Sequence, residues 1–178
     1  LLDKTGTITI GNRKATSFYP ANGIDTKSFI ETAVMSSLAD ETPEGKSIVE
    51  LGKLNPSSFN TQNATFIKFT AETRSSGMNM ADGTKVRKGA FDSIRNMVIR
   101  AGNDFPAETE QRVKAIASNG GTPLVVSRNN KALGVIELQD IIKPGIRERF
   151  ERLRKMGVKT VMVTGDNPLT AKFIAEKA

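Results

Sequence analysis

Asp3 follows two leucines and precedes Lys4-Thr5-Gly6-Thr7. A carboxylate after a short apolar run suits the carboxyl end of a buried strand, where open α/β sheets hold their ligands. Gly6 lets the backbone pass close to a phosphate, and neighbouring amide N–H groups can cradle one. A carboxylate so placed can attack phosphorus and form an acyl phosphate, with Mg²⁺ neutralising the phosphoryl oxygens. A second group, Thr164-Gly165-Asp166, ends another apolar run that starts at Val158. A hydroxyl and a glycine amide there can hold a transferring phosphoryl group.

Three further groups carry chemistry of a different kind. Lys88-Gly89-Ala90 puts a charge and a residue that permits close approach just ahead of a helix start, which suits a nucleotide. Phe69, at the end of an alternating run, can stack on a base. Asp40-Glu41-Thr42-Pro43-Glu44 clusters acids at a helix start, which ordinarily serves capping and the helix dipole. What is missing narrows the chemistry. The chain has no Cys and no His, so disulfides, thiolate metal sites and His-activated nucleophiles are excluded. Catalysis has to run on Asp, Glu, Lys, Thr and hard, oxygen-bound cations.

The elements that must position these groups can be read from periodicity. Phe29, Ile30, Ala33, Val34 and Leu38 recur at helical spacing over 26–38. Thr42-Pro43 supplies an N-cap and a first-turn proline for a helix to about Leu54, so Ala39-Asp40-Glu41 joins a helical hairpin. Gly11 to Asn22 reads as a loop or linker with some strand character. Thr65, Ile67 and Phe69 alternate as one strand, and Asp82-Gly83 signals a hairpin between Met78-Met80 and Val86. Helices follow from Phe91 to a stop at Gly102 and from Pro106 to Ser118. Strands are expected at 124–127 and 132–138 around Asn129-Asn130. In the last third, Ile146, Phe150 and Leu153 face a core from a basic helix. Val158 to Thr164 reads as a strand buried on both faces of a parallel sheet, and Pro168 opens a last helix.

The two ends therefore share an α/β style, while the middle is α+β. An apolar share of 38% and a charged share of 25% fit a globular protein. No apolar run approaches the roughly 20 residues a bilayer requires. The net charge of +7 favours anionic partners. One Tyr and no Trp leave little for base stacking, so the arginines of 143–159 read as a solvated helix face and nucleic acid is not an expected partner. The chain opens without Met inside a strand-like motif and closes inside a helical one, which reads as a piece of a longer protein.

Asp3-Lys4-Thr5-Gly6-Thr7 matches in full the phosphorylation signature of P-type ATPases, and essentially the whole chain resembles that family. Thr9 to Arg13, Ser37 to Ser47, Phe69 to Gly77 and Arg149 to Asn167 make it most similar to the catalytic subunit of the bacterial Kdp-type potassium pumps. Heavy-metal pumps carry His-Pro where this chain has Thr42-Pro43. The resemblance implies an antiparallel-sheet nucleotide-binding domain with helices, residues 12–141. That domain is inserted into a HAD-like doubly wound phosphorylation domain, of which 1–11 and 142–178 are parts.

The resemblance also implies roles. Asp3 takes the phosphate, with Lys4 in the same catalytic signature, and Thr164, Gly165 and Asp166 come up to the γ-phosphate. Phe69 stacks on adenine, while Ser76, Lys88, Gly89, Glu44, Asp40, Asp92 and Asp140 contribute to the ATP site. Asp3 and the Thr5 carbonyl form part of a Mg²⁺ site. Asp140-Ile141-Ile142-Lys143 departs from the Asp-Pro-Pro-Arg of many members, so Asp140 is the residue expected to keep a role at the hinge and nucleotide. The implied parent spans the membrane and works with other subunits of a potassium-transport complex at the cytoplasmic face of the bacterial cell membrane, importing potassium. This piece is expected to be soluble, and to bind ATP without turnover. Aspartate-based phosphatases carry a second Asp two residues after the nucleophile as general acid/base. Thr5 offers no acid, so an acyl phosphate here would persist. A HAD-type phosphatase or phosphotransferase, or a non-catalytic ATP-binding module, remain the alternative readings.

Overall fold

A computed structural model describes residues 1–164 and 168–178. In chain order the elements are β1 (Leu2–Asp3), β2 (Thr9–Pro20), α1 (Thr26–Met35), α2 (Pro43–Gly52), β3 (Thr65–Ile67), β4 (Ser75–Asn79), β5 (Lys85–Gly89), α3 (Phe91–Arg100), α4 (Ala107–Ser118), β6 (Thr122–Arg128), β7 (Lys131–Ile142), α5 (Ile146–Lys155), β8 (Met162–Val163) and α6 (Pro168–Lys177). They build two sheets: β1 beside β8 in parallel, and six antiparallel strands in the order β2-β7-β6-β5-β4-β3.

The six-stranded sheet is covered on both faces because successive residues of a strand point to opposite sides. Val126, Ile136 and Leu138 pack with Phe29 and Ala33 of α1 and Ile48 of α2. Val125 and Val135 pack with Ile94 and Val98 of α3 and Val113 and Ile116 of α4. The helix starts follow their capping chemistry. Asp25 accepts from the Ser28 amide at 2.8 Å and Thr42 from the Gly45 amide at 3.1 Å, each satisfying an amide the helix leaves open. Asn129 and Asn130 both adopt positive φ, 50° and 60°, the condition for the tight turn that joins β6 to β7. The Asp82-Gly83 hairpin also forms, with the Gly83 amide donating to the Met80 carbonyl at 3.0 Å.

Two stretches differ from their sequence reading. Residues 11–22, read as a loop or linker with some strand character, fall mostly within the 12-residue strand β2, Thr9–Pro20. It lies at the sheet edge with one face half exposed, so its alternation is diluted by Gly11, Asn12 and Arg13. The expected strand over 158–164 contracts to Met162–Val163. It is not buried on both faces: Val158, Val161 and Val163 are 45%, 43% and 52% exposed. One face of the β1/β8 pair carries Leu2 and Met162 into a small core with Ile8, Ile146, Phe150 and Ile174. Nothing among the described residues covers the other face.

The β2/β7 ladder joins the two regions. It runs from Pro20 opposite Gly134 to Thr9 opposite Ile142, and therefore passes through both expected domain boundaries, 11/12 and 141/142.

Candidate functional site

A cleft of about 200 Å³ opens on the α1/α2 side of the six-stranded sheet. Leu124 and Leu138 form its apolar wall, and Phe69 stands at its rim, 56% exposed. β3 ends at Ile67, so Phe69 lies in the loop beyond the strand rather than on it. Lys88 of β5 lies opposite Ser76 of β4 in the hairpin register, and both line the cleft. Ser76 is 3% exposed and its hydroxyl has no hydrogen-bond partner.

Lys88 donates to the Asp40 carboxylate, and both side chains are under a tenth exposed. Asp40 also accepts from the Thr42 hydroxyl at 2.6 Å and the Thr42 amide at 3.1 Å. Burial presses the Asp40 pKa up, but the bonds from Lys88 and Thr42 outweigh it and hold the carboxyl below its ordinary value. Burial pulls Lys88 down, and the attraction of Asp40 and Glu44 does not restore it. The pair therefore favours the charged form of Asp40, while Lys88, the deeper partner, is left short of compensation. Gly45 permits this packing: a Cβ there would lie 2.5 Å from the Asp40 carboxyl carbon. Gly89 ends β5 where a Cβ would meet the Arg74 carbonyl at 2.5 Å.

The second cluster lies at the carboxyl ends of β1 and β8. Asp3 pairs in register with Val163, and Thr164 follows directly. Asp3 and Thr164 thus leave adjacent parallel strands at the same end, with Asp3 exposed. Gly165 and Asp166 lie outside the described residues. Lys4 is 3% exposed and its ammonium donates to Asp140 at 2.8 Å. Lys143 donates to the Gly6 carbonyl. Gly6, at φ 79°, turns the loop of Asp3 back toward β2. Two lysine contacts thus hold the loop of Asp3 to the end of β7.

The structure brings together Asp40, Glu44, Phe69, Ser76, Lys88 and Gly89 in the cleft. It places Asp140 away from the cleft, beside Lys4. Asp92 is also elsewhere, in the first turn of α3, lining a different hollow on the reverse face of the sheet. Sequence reasoning used Arg13 for the resemblance but gave it no role in the site; the residue lines the cleft while its guanidinium lies 3.8 Å from Asp140. Its side chain touches both clusters. The available signal was a lone arginine in a polar stretch, which takes on meaning only once that stretch is a strand paired with Asp140.

Comparison with known proteins bears on the family and the fold. The haloacid dehalogenase-like hydrolase family matches residues 1–178. The chain is 54% identical over 182 positions to a potassium-transporting ATPase ATP-binding subunit of Erwinia tasmaniensis. It is 52% identical to the protein of the same description from Clostridium perfringens. Both alignments cover 100% of this chain and 26% of the relative, so the chain spans about a quarter of their length. Among solved structures, a zinc-transporting PIB-type ATPase in an E2.Pi state superposes with a TM-score of 0.73 at 26% identity, over 98% of this chain and 27% of that one. The catalytic domain of the CPx-ATPase CopB-B, at 16% identity and a TM-score of 0.61 over 98% of this chain and 56% of that one, shares the fold. With an exposed aspartate at the end of a parallel strand and a cleft on the antiparallel sheet, the chain belongs to the haloacid dehalogenase-like hydrolase family.

Proposed function

We propose that this region binds ATP in the cleft between Phe69 and Lys88 and takes the terminal phosphoryl group on Asp3, as the ATP-binding part of a potassium-transporting ATPase. The observation that carries the reading is the Ser76 hydroxyl, buried in the cleft without a partner. Leaving such a group unsatisfied costs about 1–3 kcal/mol, and a purine edge with ring nitrogens relieves that cost. The aromatic rim and leucine wall suit the faces of the base. The cleft is below the roughly 300–1,000 Å³ of pockets that enclose a whole drug-sized ligand, so it holds the base and leaves the phosphates outside. Lys88 is held in the wall of the cleft by Asp40, and Arg13, the more exposed cation, carries positive charge from the cleft toward Asp140 and Lys4.

On this reading residues 12–141 are the nucleotide-binding domain, inserted between two parts of the phosphorylation domain, 1–11 and 142–178. Asp3 is the nucleophile, and Lys4, clamped by Asp140, positions its loop. Thr164 faces the transferred group, and the expected roles of Gly165 and Asp166 lie outside the described residues. Among the described residues no three His, Cys, Asp or Glu side chains gather as a metal site. Asp3 and the Thr5 carbonyl are nonetheless hard oxygen donors, few enough to suit Mg²⁺, which keeps waters and phosphate oxygens as its other ligands. Mg²⁺ would neutralise phosphoryl charge there. Position 5 is Thr, which offers no acid two residues after the nucleophile, and the Asp140 carboxylate is committed to Lys4. That favours a persistent acyl phosphate over a phosphatase. The potassium substrate, the other subunits, the membrane-spanning parent and its cytoplasmic face follow from the relatives' description. No described helix is long and apolar enough to cross a membrane.

Heteronuclear NMR with ATP, with and without Mg²⁺, tests the reading. Shifts are expected to concentrate at Phe69, Ser76, Lys88, Gly89 and Glu44, and to weaken in Phe69→Ala and Ser76→Ala. A well-dispersed spectrum in which ATP moves none of these signals rejects the cleft as the nucleotide site.

A further inference from the structure

On the reverse face of the six-stranded sheet a larger hollow, about 790 Å³, opens between the 72–75 segment, β5 and α3. Neighbouring residues of the hairpin serve opposite sides: Ser76 and Lys88 line the nucleotide cleft, whereas Ser75 and Arg87 line this hollow. Three guanidinium groups surround it, those of Arg74, Arg87 and Arg100. Arg13, Arg95 and Arg147 each lie within 4.0 Å of a carboxylate. Among the described residues Arg74, Arg87 and Arg100 do not. Glu72 and Asp92 stand at the same hollow without an ion pair to them, so three cations and two acids share it and one positive charge is left over.

Arg87 is the least ordinary of the three. It is half buried, and its Nη1 donates to the Met78 and Val86 carbonyls at 2.9 and 2.8 Å while Nη2 donates to Asn79 Oδ1 at 2.6 Å. All three acceptors are neutral. The guanidinium is thus fixed in place and desolvated, and burial alone lowers its pKa, yet no counter-charge meets it. Its Nε–H and one Nη2–H remain for a further acceptor. Arg74 is also presented by an ordered turn. It sits at φ 47° with its amide donating to the Thr70 carbonyl at 2.8 Å, and the Ser93 hydroxyl ties the adjacent Thr73 carbonyl to the start of α3. A rigid, uncompensated guanidinium with two more at the rim is a receptor for oxyanions, because the planar fork matches phosphate geometry.

We propose that this hollow is a second anion site, separate from the nucleotide cleft, that takes a multiply charged phosphate such as pyrophosphate or the phosphate tail of a nucleotide. The test is a titration of sodium pyrophosphate into this chain at physiological salt. It is followed by the Arg74, Arg87 and Arg100 Nε–H signals and the Asn96 and Asn130 side-chain amides. Saturable shifts are expected there, with Phe69 and Gly89 unmoved. Shifts that persist when the chain is saturated with ATP identify a free phosphate as the ligand. Shifts already produced by ATP, and no longer by pyrophosphate, identify a nucleotide's own phosphates; either result supports an anion site. The double variant Arg74→Gln/Arg100→Gln removes only exposed side chains. It is expected to weaken pyrophosphate by tenfold or more while the ATP response of Phe69 and Gly89 is kept. Arg87→Gln, with its spectral dispersion checked first, is expected to weaken it at least as much. Pyrophosphate shifts spread evenly over the α5 arginines, or unchanged affinity in the double variant, overturn the proposal, and the Phe69 and Gly89 signals report separately on the nucleotide cleft.

Discussion

Lys88–Asp40 in the cleft of the six-stranded sheet and Lys4–Asp140 beside the loop of Asp3 are the same chemical device, an ammonium on a carboxylate with each side chain under a tenth exposed. Their settings differ. The first sits inside a sheet with a packed core on both faces. The second spans from that sheet to a two-stranded one with a core on a single face. Asp40 has Lys88 and the polar groups of Thr42, whereas Asp140 has two cations, Lys4 and Arg13. One pair therefore belongs to a binding wall, and the other is a tie between regions. Removing a partner separates the two roles.

Lys88→Ala carries the largest expected effect. It leaves Asp40 buried with only Thr42 for company, and breaking a buried pair from one side costs about 3–5 kcal/mol. Urea denaturation at neutral pH should show that loss together with a loss of ATP binding. A stability within about 1 kcal/mol of the parent chain would mean that the cleft admits water freely and the pair is not a buried one. Lys4→Ala should cost less, nearer the lower end of that range, because Arg13 stands 3.8 Å from Asp140 and can close on it. The double variant Lys4→Ala/Arg13→Ala should then exceed the sum of its parts. Simple additivity would show that Arg13 does not act as the reserve partner.

Acid titration separates the pairs at the next scale. Asp40 has its folded pKa held below the ordinary 3.8. Its stabilising contribution is therefore present above that value and lost as the pH falls through the lower, folded one. Lys88 has the opposite sense. Its folded pKa lies below the ordinary 10.5, so in the alkaline range the unfolded chain binds more protons and this group's share of stability rises with pH. Asp40→Asn should flatten the acid limb of a stability–pH curve and leave the Lys4–Asp140 tie untouched. An acid limb identical to that of the parent chain would place the titrating group elsewhere.

The same contrast explains what could be read from the residues. Helices α1 to α5, the Asp82-Gly83 hairpin and the Asn129-Asn130 turn were legible because periodicity and turn chemistry act locally. Lys88, Phe69 and Asp40 are singled out by the resemblance rather than by residue type alone, and all three line one cleft. The site of Arg13 and the pairing of Asp140 with Lys4 were not legible, although Asp140 was expected at the hinge. Their meaning depends on the β2/β7 register, a pairing across more than a hundred residues that no local window contains. Asp92 shows the converse. It lies four residues after Lys88, but the hairpin's alternation and the turn into α3 carry it to the other face of the sheet. The buried-strand reading of 158–164 came from apolar content, and content alone does not say whether two faces or one will be covered.

That last difference gives the smallest and sharpest measurement. Val163 is 52% exposed, on the face of β8 opposite Met162. Val163→Thr keeps the β-branched shape and exchanges a methyl for a hydroxyl. On a solvated face this should change stability by no more than about 0.5 kcal/mol, seen as a nearly unchanged urea midpoint at constant slope. Met162→Thr, toward the core with Ile8 and Phe150, should cost clearly more. It removes apolar contact worth about 25 cal/mol per Å² and buries a hydroxyl in its place. Unequal losses confirm that this sheet has one working core face. Equal and large losses from both variants would mean that Val163 is covered in solution, and would make the face of Val161 and Val163 a packing surface comparable to the two faces of the larger sheet.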